Sequence, residues 1–266
     1  MKLTKSLAML AILGLTAASA VPAAADTLSD IMAAKKIRIS TDLAIPPSGM
    51  LDANLKPVGS DVETAELLAK DWGLQLEFIQ TTGATRIPNL QTNKADIVIS
   101  TLSVTPERQK VIDFSTPYAG LLSVIAAPAA SPIKDWADLK GKTVTVTRGT
   151  TQDTELTKLA SEKGFTIARY DDDATMVTAA VSGQAGIIAT SATLVKQIHE
   201  KDTAKAFEPK ITIRVLNLAI GVRKGEPQLL AKLDEWIKEN LKNGKLNEIY
   251  QKYHGSPLPK EIVEGE

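Results

Sequence analysis

Apolar and polar residues alternate with two different periods in the first hundred residues. The period is two over Lys36–Thr41 and again over residues 74–79, so both segments are predicted strands. Between them, apolar residues recur at helical spacing over residues 62–72, and Gly73 follows as a stop. A short helix over residues 88–93 and a buried strand over 95–100 complete a strand and helix alternation.

The second half of the chain repeats this alternation, which is typical of largely parallel sheets covered by helices. Its predicted elements are a helix or turn at Trp136–Leu139, a strand after Gly141, helix 153–163, strand Thr166–Tyr170, helix 174–182, strand 185–189, apolar segments 211–215 and 218–222, helix Pro227–Lys242 and a shorter helix ending near Tyr253. No linker rich in Pro, Gly or Ser separates the halves. The sequence therefore predicts two α/β units joined by strands, with a site in the cleft at the carboxyl ends of the strands.

The N-terminus has the order of a secretory signal peptide. Lys2 and Lys5 precede an apolar run over residues 7–15, and small residues follow up to Ala25. The apolar run is too short to span a bilayer, which needs roughly 20 residues. We predict cleavage after Ala25, with Ala20 as the second choice. The alternative is an N-terminus that is disordered or anchors the chain in a membrane.

The cysteine content and the net charge limit the possible compartments and partners of the chain. The chain has no cysteine, so its fold depends on its core alone, and no lipid can be attached at a cysteine after cleavage. The 31 basic and 31 acidic residues become 29 and 31 without residues 1–25. Nucleic acid and anionic membranes are therefore poor partners for this chain.

Sequence patterns for metal sites and common catalytic motifs are missing. His199 and His254 are far apart and have no ligand partners at metal spacing. The run of aspartates at residues 171–173 lacks the glycine and distal glutamate of a calcium loop. A nucleophile elbow, a Walker loop and a dinucleotide fingerprint do not occur. No cofactor and no metal is predicted.

Three long segments resemble the family 3 extracellular solute-binding proteins, which serve polar amino-acid ABC transporters. They are IPPSGMLDANLKPVGSDVETAELLAK, RIPNLQTNKADIVISTLSVTPERQKVIDFSTPY and IKDWADLKGKTVTVTRGTT, in the family's order. The resemblance covers about residues 36–255. It implies a type II periplasmic-binding-protein (Venus-flytrap) fold, in which two α/β lobes close on a ligand about a hinge.

The resemblance also implies an organisation and a set of partners. Residues 26–122 with 219–266 would form the first lobe and residues 123–218 the second, with chain crossings near 122–126 and 218–222. The chain would be a periplasmic monomer, not an enzyme. It would deliver an amino acid or small carboxylate to a permease in the inner membrane.

Arg108 is the first candidate ligand residue. A guanidinium offers two parallel N–H donors that match a carboxylate. The resemblance implies that this arginine binds the α-carboxylate of the ligand. The alternative is a surface arginine paired with Glu107 or Asp113.

Small polar residues are candidates on both sides of the cleft. Thr101 and Ser103 end the predicted strand on one face, where the resemblance implies ligand contacts. Thr150 and Thr151 follow Gly149 at a predicted helix N-terminus, which favours an anion. Alternatively, these residues simply end a strand and cap a helix. Arg148 faces either the cleft or solvent.

Three charged residues bear on the type of ligand. Arg86 resembles the arginine of an N-R-I-P motif in members that bind acidic amino acids, but Thr85 replaces the asparagine, and a structural arginine is the alternative. Asp42 and Asp173 stand where acidic-ligand members have basic residues. Two carboxylates there favour a ligand with a basic or neutral side chain. Each could instead be a helix cap.

Three positions depart from the family pattern. Ile45 and Gly83 replace the two aromatic rings that commonly clamp the ligand. Ser191 replaces the aspartate that holds the α-ammonium, so Asp42 or Asp173 must take that role, or the ligand has no α-amino group.

Two other functions remain as alternatives. Dehydratases share the fold, and Asp173 is the candidate acid or base for such an enzyme. A sensory module would present the same solute to a membrane receptor.

Overall fold

A computed structural model describes residues 26–201, 203–204 and 206–264. The predicted signal peptide lies outside the described residues. Within them, the strands are β1 Lys36–Thr41, β2 Met50–Leu51, β3 Pro57–Val58, β4 Gln75–Gln80, β5 Ile97–Val98, β6 Ile112–Pro128, β7 Thr143–Thr147, β8 Thr166–Tyr170, β9 Ile188–Ser191 and β10 Phe207–Arg223. The helices are α1 Thr27–Ala34, α2 Ser60–Asp71, α3 Arg86–Gln91, α4 Pro106–Gln109, a 3-10 helix at Trp136–Leu139, α5 Thr151–Lys163, α6 Asp173–Ser182, α7 Ala192–Lys201, α8 Pro227–Lys242, α9 Lys245–His254 and α10 Lys260–Glu264. In this described part, no helix is both long and apolar enough to cross a membrane.

Two long antiparallel strands lie at the centre of one eight-stranded sheet and join its two parallel halves. The strand order is β4-β1-β5-β10-β6-β9-β7-β8. In one half β1 pairs in parallel with β4 and β5, and in the other half β7 pairs in parallel with β8 and β9. Strands β6 and β10 are 17 residues each and run antiparallel through the middle. The molecule therefore has the predicted two-lobed α/β architecture.

Each lobe has its own hydrophobic core. The first core combines residues from both ends of the chain, including Ile37 and Trp236. The second lobe has a core on each face of its sheet. Val124 and Ala126 pack into one of these cores, and Ile125 and Ala127 pack into the other, as alternation along β6 requires.

Helix α8 shows how the sequence determines where a helix begins and which of its faces is buried. Pro227 stands at its start, where the missing N–H is not needed. Leu229, Leu233, Trp236 and Ile237 recur at helical spacing and are all buried. Each such side chain stabilises the fold by about 1.5–3 kcal/mol when fully buried.

Most predicted elements are confirmed, with four corrections. The apolar segments 211–215 and 218–222 are parts of one strand, β10. Its register shifts at several bulges break the alternation that marks a continuous strand. Predicted strand 95–100 is shorter, at Ile97–Val98, and predicted strand 185–189 lies later, at Ile188–Ser191. Helices α4, α7 and α10 and the short strands β2 and β3 were not predicted, and of β6 only the crossing near residues 122–126 was predicted.

Candidate functional site

A cavity lies between the lobes at the carboxyl ends of the parallel strands. Its enclosed volume is about 40 Å³, and the space rises to about 450 Å³ when the open mouth and adjoining solvent are included. The cavity is lined by Ile45, Arg86, Thr101, Ser103, Arg108, Leu121, Thr147, Thr150, Thr151, Gln152, Asp173, Ala189, Thr190 and Ser191. Eight of the nine predicted ligand residues are therefore brought together. The ninth, Asp42, is 2% exposed and lies beside the cavity rather than in its lining.

Arg108 reaches across the cleft from the first lobe. Its Nη1 donates to the Ser103 carbonyl at 2.9 Å, and its Nη2 donates to the Gly149 carbonyl in the second lobe at 3.2 Å. Glu107 and Asp113 pair with lysines instead, so the alternative of a surface ion pair is wrong. Burial and the nearby second arginine lower the pKa of Arg108 to about 9, so it stays charged at neutral pH.

Arg86 is buried and braces the turn that follows β5. Its Nη1 donates to the Ser100 carbonyl at 2.5 Å and to the Thr101 carbonyl at 3.3 Å, and its Nε is buried without a partner. This is the structural role that the sequence left as an alternative. The side chain also lines the cavity, so its charge acts on whatever binds there.

Asp61 fixes the conformation of Thr101. The backbone of Thr101 has φ 47°, which is uncommon for a residue with a side chain. Its N–H and hydroxyl donate to Asp61 Oδ2 at 2.7 and 3.0 Å, and the Tyr118 hydroxyl donates to Oδ1 at 2.8 Å. Both donors of Thr101 are therefore used inside the lobe. Burial raises the pKa of the Asp61 carboxyl, which these hydrogen bonds partly offset.

The N-terminus of α5 closes the cavity from the second lobe. Thr150 is its N-cap, and its hydroxyl accepts from the Asp153 N–H at 3.2 Å and donates to the Thr147 carbonyl at 2.7 Å. The cap is the alternative that the sequence left open. The next two amides, of Thr151 and Gln152, have no partner within the helix, because a first turn offers none. Both residues are buried and line the cavity.

Two carboxylates approach the cavity from opposite lobes. Asp173 Oδ1 accepts from the Thr147 hydroxyl at 2.7 Å, and burial raises the pKa of Asp173 to about 6, assisted by Asp42. Asp42 Oδ1 accepts from the Ala44 N–H at 2.9 Å, while its Oδ2 is buried without a partner. Burial raises the pKa of Asp42, and Arg86 opposes the rise. Two cations and one acid therefore line the cavity, and a second acid, Asp42, lies beside it.

Ser191 caps α7 at the end of β9. Its hydroxyl accepts from the Leu194 N–H at 3.1 Å and lies 3.0 Å from the Thr193 hydroxyl. Because Ser191 has no charge, the second lobe's acid near the cavity is Asp173. Arg148 pairs with Asp171 at 3.0 Å and is about half exposed, outside the cavity lining.

We expect Ser191→Ala to lower the free energy of unfolding by about 1 kcal/mol, because the first turn of α7 loses its cap. Denaturant unfolding would measure the change. Ser182→Ala is the control, since that exposed hydroxyl donates to a carbonyl and caps no amide. Equal effects of the two substitutions would contradict the capping role.

The sequence analysis did not single out several residues of the site. Thr147 holds Asp173, Gln152 and Thr190 line the cavity, and Asp61 holds Thr101. The alternation over Thr143–Thr147 places Thr147 on the face opposite Val144 and Val146, with the exposed Thr143, so the pattern gave no signal that Thr147 is buried. Asp61 lies 40 residues from Thr101, and no local pattern joins them.

Comparisons with known proteins agree with this geometry. The L-arginine-binding protein of Pseudomonas aeruginosa is 28% identical over 257 residues, which is 94% of this chain and 96% of that protein. A structure of the L-cysteine solute receptor of Neisseria gonorrhoeae is 31% identical, covers 85% and 92% of the two chains, and has a TM-score of 0.79. An ancestral amino acid-binding protein, a precursor of cyclohexadienyl dehydratase, is 33% identical, covers 85% and 99%, and has a TM-score of 0.76.

The model of one protein family matches most of the chain. The match runs over residues 37–256, which includes both lobes and every residue that lines the cavity. With its two-lobed fold and the cavity between the lobes, the chain belongs to the bacterial extracellular solute-binding proteins, family 3.

Proposed function

We propose that the chain is the periplasmic solute-binding component of an ABC importer and that it captures a free amino acid with a neutral or basic side chain. One observation carries this proposal: a guanidinium of the first lobe, Arg108, and a buried carboxylate of the second lobe, Asp173, line the same cavity. The two groups match the carboxylate and the ammonium of a zwitterion.

The charges of the cleft favour a zwitterion over an acidic amino acid. Arg86 opposes the rise in the pKa of both Asp42 and Asp173, so its charge is shared between the two acids, and we assign Arg108 to the carboxylate of the ligand and Asp173 to its ammonium. A second carboxylate on the ligand would add a negative charge beside Asp173 and Asp42. Because unpaired charges are costly in a buried site, such a ligand is disfavoured.

Capture proceeds by closure of the two lobes. The solute binds Arg108 and the strand ends of the first lobe, and the free amides of α5 then complete the hydrogen bonds of its carboxylate. Only the closed form makes both sets of contacts, so binding shifts the population towards closure. Strands β6 and β10 would be the hinge, with lobe boundaries near residues 122 and 218. The separate cores of the two lobes support these boundaries.

The location and the partner follow from the same proposal. The N-terminal residues have the pattern of a cleaved signal peptide, and the family consists of extracellular solute-binding proteins. Relatives that are named as ABC transporter arginine-binding and glutamine-binding proteins support delivery to a permease. The chain would act as a monomer that docks on this permease in its closed form.

A dehydratase-like activity is the second candidate, because burial places the pKa of Asp173 near 6, in the range of a general acid. The likeness to a precursor of cyclohexadienyl dehydratase also favours it. Incubation with prephenate-like acids and a search for the dehydrated product would test this activity. Product formation that Asp173→Asn abolishes would establish it.

We expect at least one neutral or basic amino acid to bind with a Kd at or below about 10 µM in isothermal titration. The panel includes arginine, lysine, histidine, glutamine, cysteine and cystine, with glutamate and the deaminated carboxylates as controls. The controls should bind at least about tenfold more weakly. The side-chain carboxylate of glutamate is repelled by the aspartates of the site, and the deaminated carboxylates lack the ammonium that Asp173 would bind. If no amino acid of the panel binds at millimolar concentration, the proposal is contradicted.

A further inference from the structure

The two lobes meet backbone to backbone at one edge of the cavity mouth. Gly83, in the first lobe, faces the second-lobe segment around Gly149. A Cβ on Gly83 would lie 2.7 Å from the Arg148 carbonyl oxygen and 3.2 Å from Thr150 Cγ2. A Cβ on Gly149 would lie 2.8 Å from Ala84 Cα and 2.9 Å from the Gly83 carbonyl oxygen. We call residues 83–84 and 148–150 the glycine seam.

Other contacts between the lobes lie next to the glycine seam. Arg108 donates to the Gly149 carbonyl at 3.2 Å, and Lys158 pairs with Glu107 at 2.7 Å. These contacts need the same close approach as the glycine seam. The Arg108 bond is already at the long end of the hydrogen-bond range, so it weakens if the two backbones move apart. The Lys158 pair is exposed, so it adds little on its own.

We propose that Gly83, through this backbone contact with the second lobe, determines how far the lobes close. Distances below 3.0 Å between a Cβ and a backbone atom are not tolerated, so any side chain at residue 83 holds the lobes apart. This inference rests on the proposed capture of a solute between the lobes. It adds a residue that acts on closure and is not among the residues that line the cavity.

Gly83 is the informative position of the pair. Gly149 has φ +73°, so a side chain there would also strain the local backbone. Gly83 has no such positive φ, and the first obstacle to its side chain is the other lobe. Substitution of Gly83 therefore tests closure and leaves the fold of the first lobe unstrained.

Gly83→Ala should lower the affinity for the best-binding amino acid of the panel by at least about tenfold, because Arg108 loses its bond across the cleft. Gly186→Ala is the matched control, since its added Cβ meets nothing within 4 Å and its φ is ordinary. That variant should bind within about twofold of the native chain. Both variants should keep the native thermal midpoint in the absence of solute.

A distance measurement reports on the glycine seam apart from affinity. The chain has no cysteine, so Lys56→Cys and Glu162→Cys would place one spin label on each lobe without background labelling. With Gly83→Phe, the shortest distance between the two spin labels should increase by more than the width of the peak in the native distance distribution. With Gly186→Ala, this distance should be the same as in the native chain.

The outcomes separate this inference from the proposed function. If Gly83→Phe reaches the native separation, or if Gly83→Ala binds within twofold of the native chain, Gly83 does not determine closure. If the native chain binds no amino acid but Gly83→Phe still shifts the separation, the glycine seam stands and the proposed function fails.

Discussion

Replacement of Arg108 by alanine is expected to weaken binding of the cognate amino acid by at least about a hundredfold. The substitution removes the charged donors that match the carboxylate, and it leaves that carboxylate buried among the acids of the cavity. Each charge-assisted hydrogen bond contributes about 1.5–3 kcal/mol, and an unpaired buried charge costs more. Arg108→Lys should recover only part of the affinity, because an ammonium lacks the planar pair of donors. Isothermal titration of the native chain, Arg108→Ala and Arg108→Lys would measure these affinities.

Arg148→Ala is the matched control for this loss. Only the backbone carbonyl of Arg148 faces Gly83; its side chain is about half exposed and pairs with Asp171 at the surface. Its removal should change the affinity by less than about threefold, as is usual for an exposed ion pair. An Arg108→Ala protein that folds and binds as tightly as the native chain would remove the basis of the proposed function.

Asp173→Asn is expected to make the solute-free protein more stable at pH 7. Burial raises the pKa of this carboxyl from its ordinary 3.8 to about 6, so the folded chain keeps the proton longer than the unfolded chain does. The contribution of Asp173 to the free energy of unfolding should therefore fall by roughly 3 kcal/mol as the pH rises from about 4 to about 6, and this fall should be missing in Asp173→Asn. Asparagine still accepts from the Thr147 hydroxyl but has no charge to bury.

The same substitution should weaken binding. An ammonium beside Asp173 stabilises the ionised carboxyl, so the affinity of the native chain should rise as the pH rises from 5 to 7. Asp173→Asn should lose at least about tenfold in affinity at pH 7, and its affinity should vary less with pH. Titrations at three pH values, paired with denaturant unfolding, would show both effects.

Asp171→Asn is the control for Asp173→Asn. Its side chain is 86% exposed, two residues away, and its removal should alter neither the pH profile nor the affinity. The interpretation of Asp173 would be wrong if Asp173→Asn were no more stable than the native chain at pH 7 and bound the solute equally well.

Local patterns predicted much of the fold, because periodicity is a property of neighbouring residues. Lys36–Thr41, Thr166–Tyr170 and Pro227–Lys242 are found with the predicted bounds. Strand β10 was read as two segments, because its bulges shift the alternation. The pairing of β6 with β10 depends on residues up to about a hundred positions apart, so no local pattern could reveal it.

The resemblance placed most of the candidate site, but it did not settle what each residue does. Thr150 and Ser191 are helix caps, and both donors of Thr101 are used by Asp61. Polar residues at strand ends can either cap a helix or contact a ligand, so the residue type alone does not distinguish the two roles. The hydrogen-bond partners distinguish them, and these come from other elements.

The sequence by itself determined the alternation of strands and helices, the family, and the charged and polar residues that stand at strand ends. Only the tertiary structure decided that Arg108 bonds to the second lobe, that Asp173 is buried with a raised pKa, and that the lobes meet at Gly83 and Gly149. The physical reason is that burial and contact across a cleft depend on how two separately packed cores are placed by β6 and β10. That placement arises from long-range strand pairing, which periodicity along the chain does not specify.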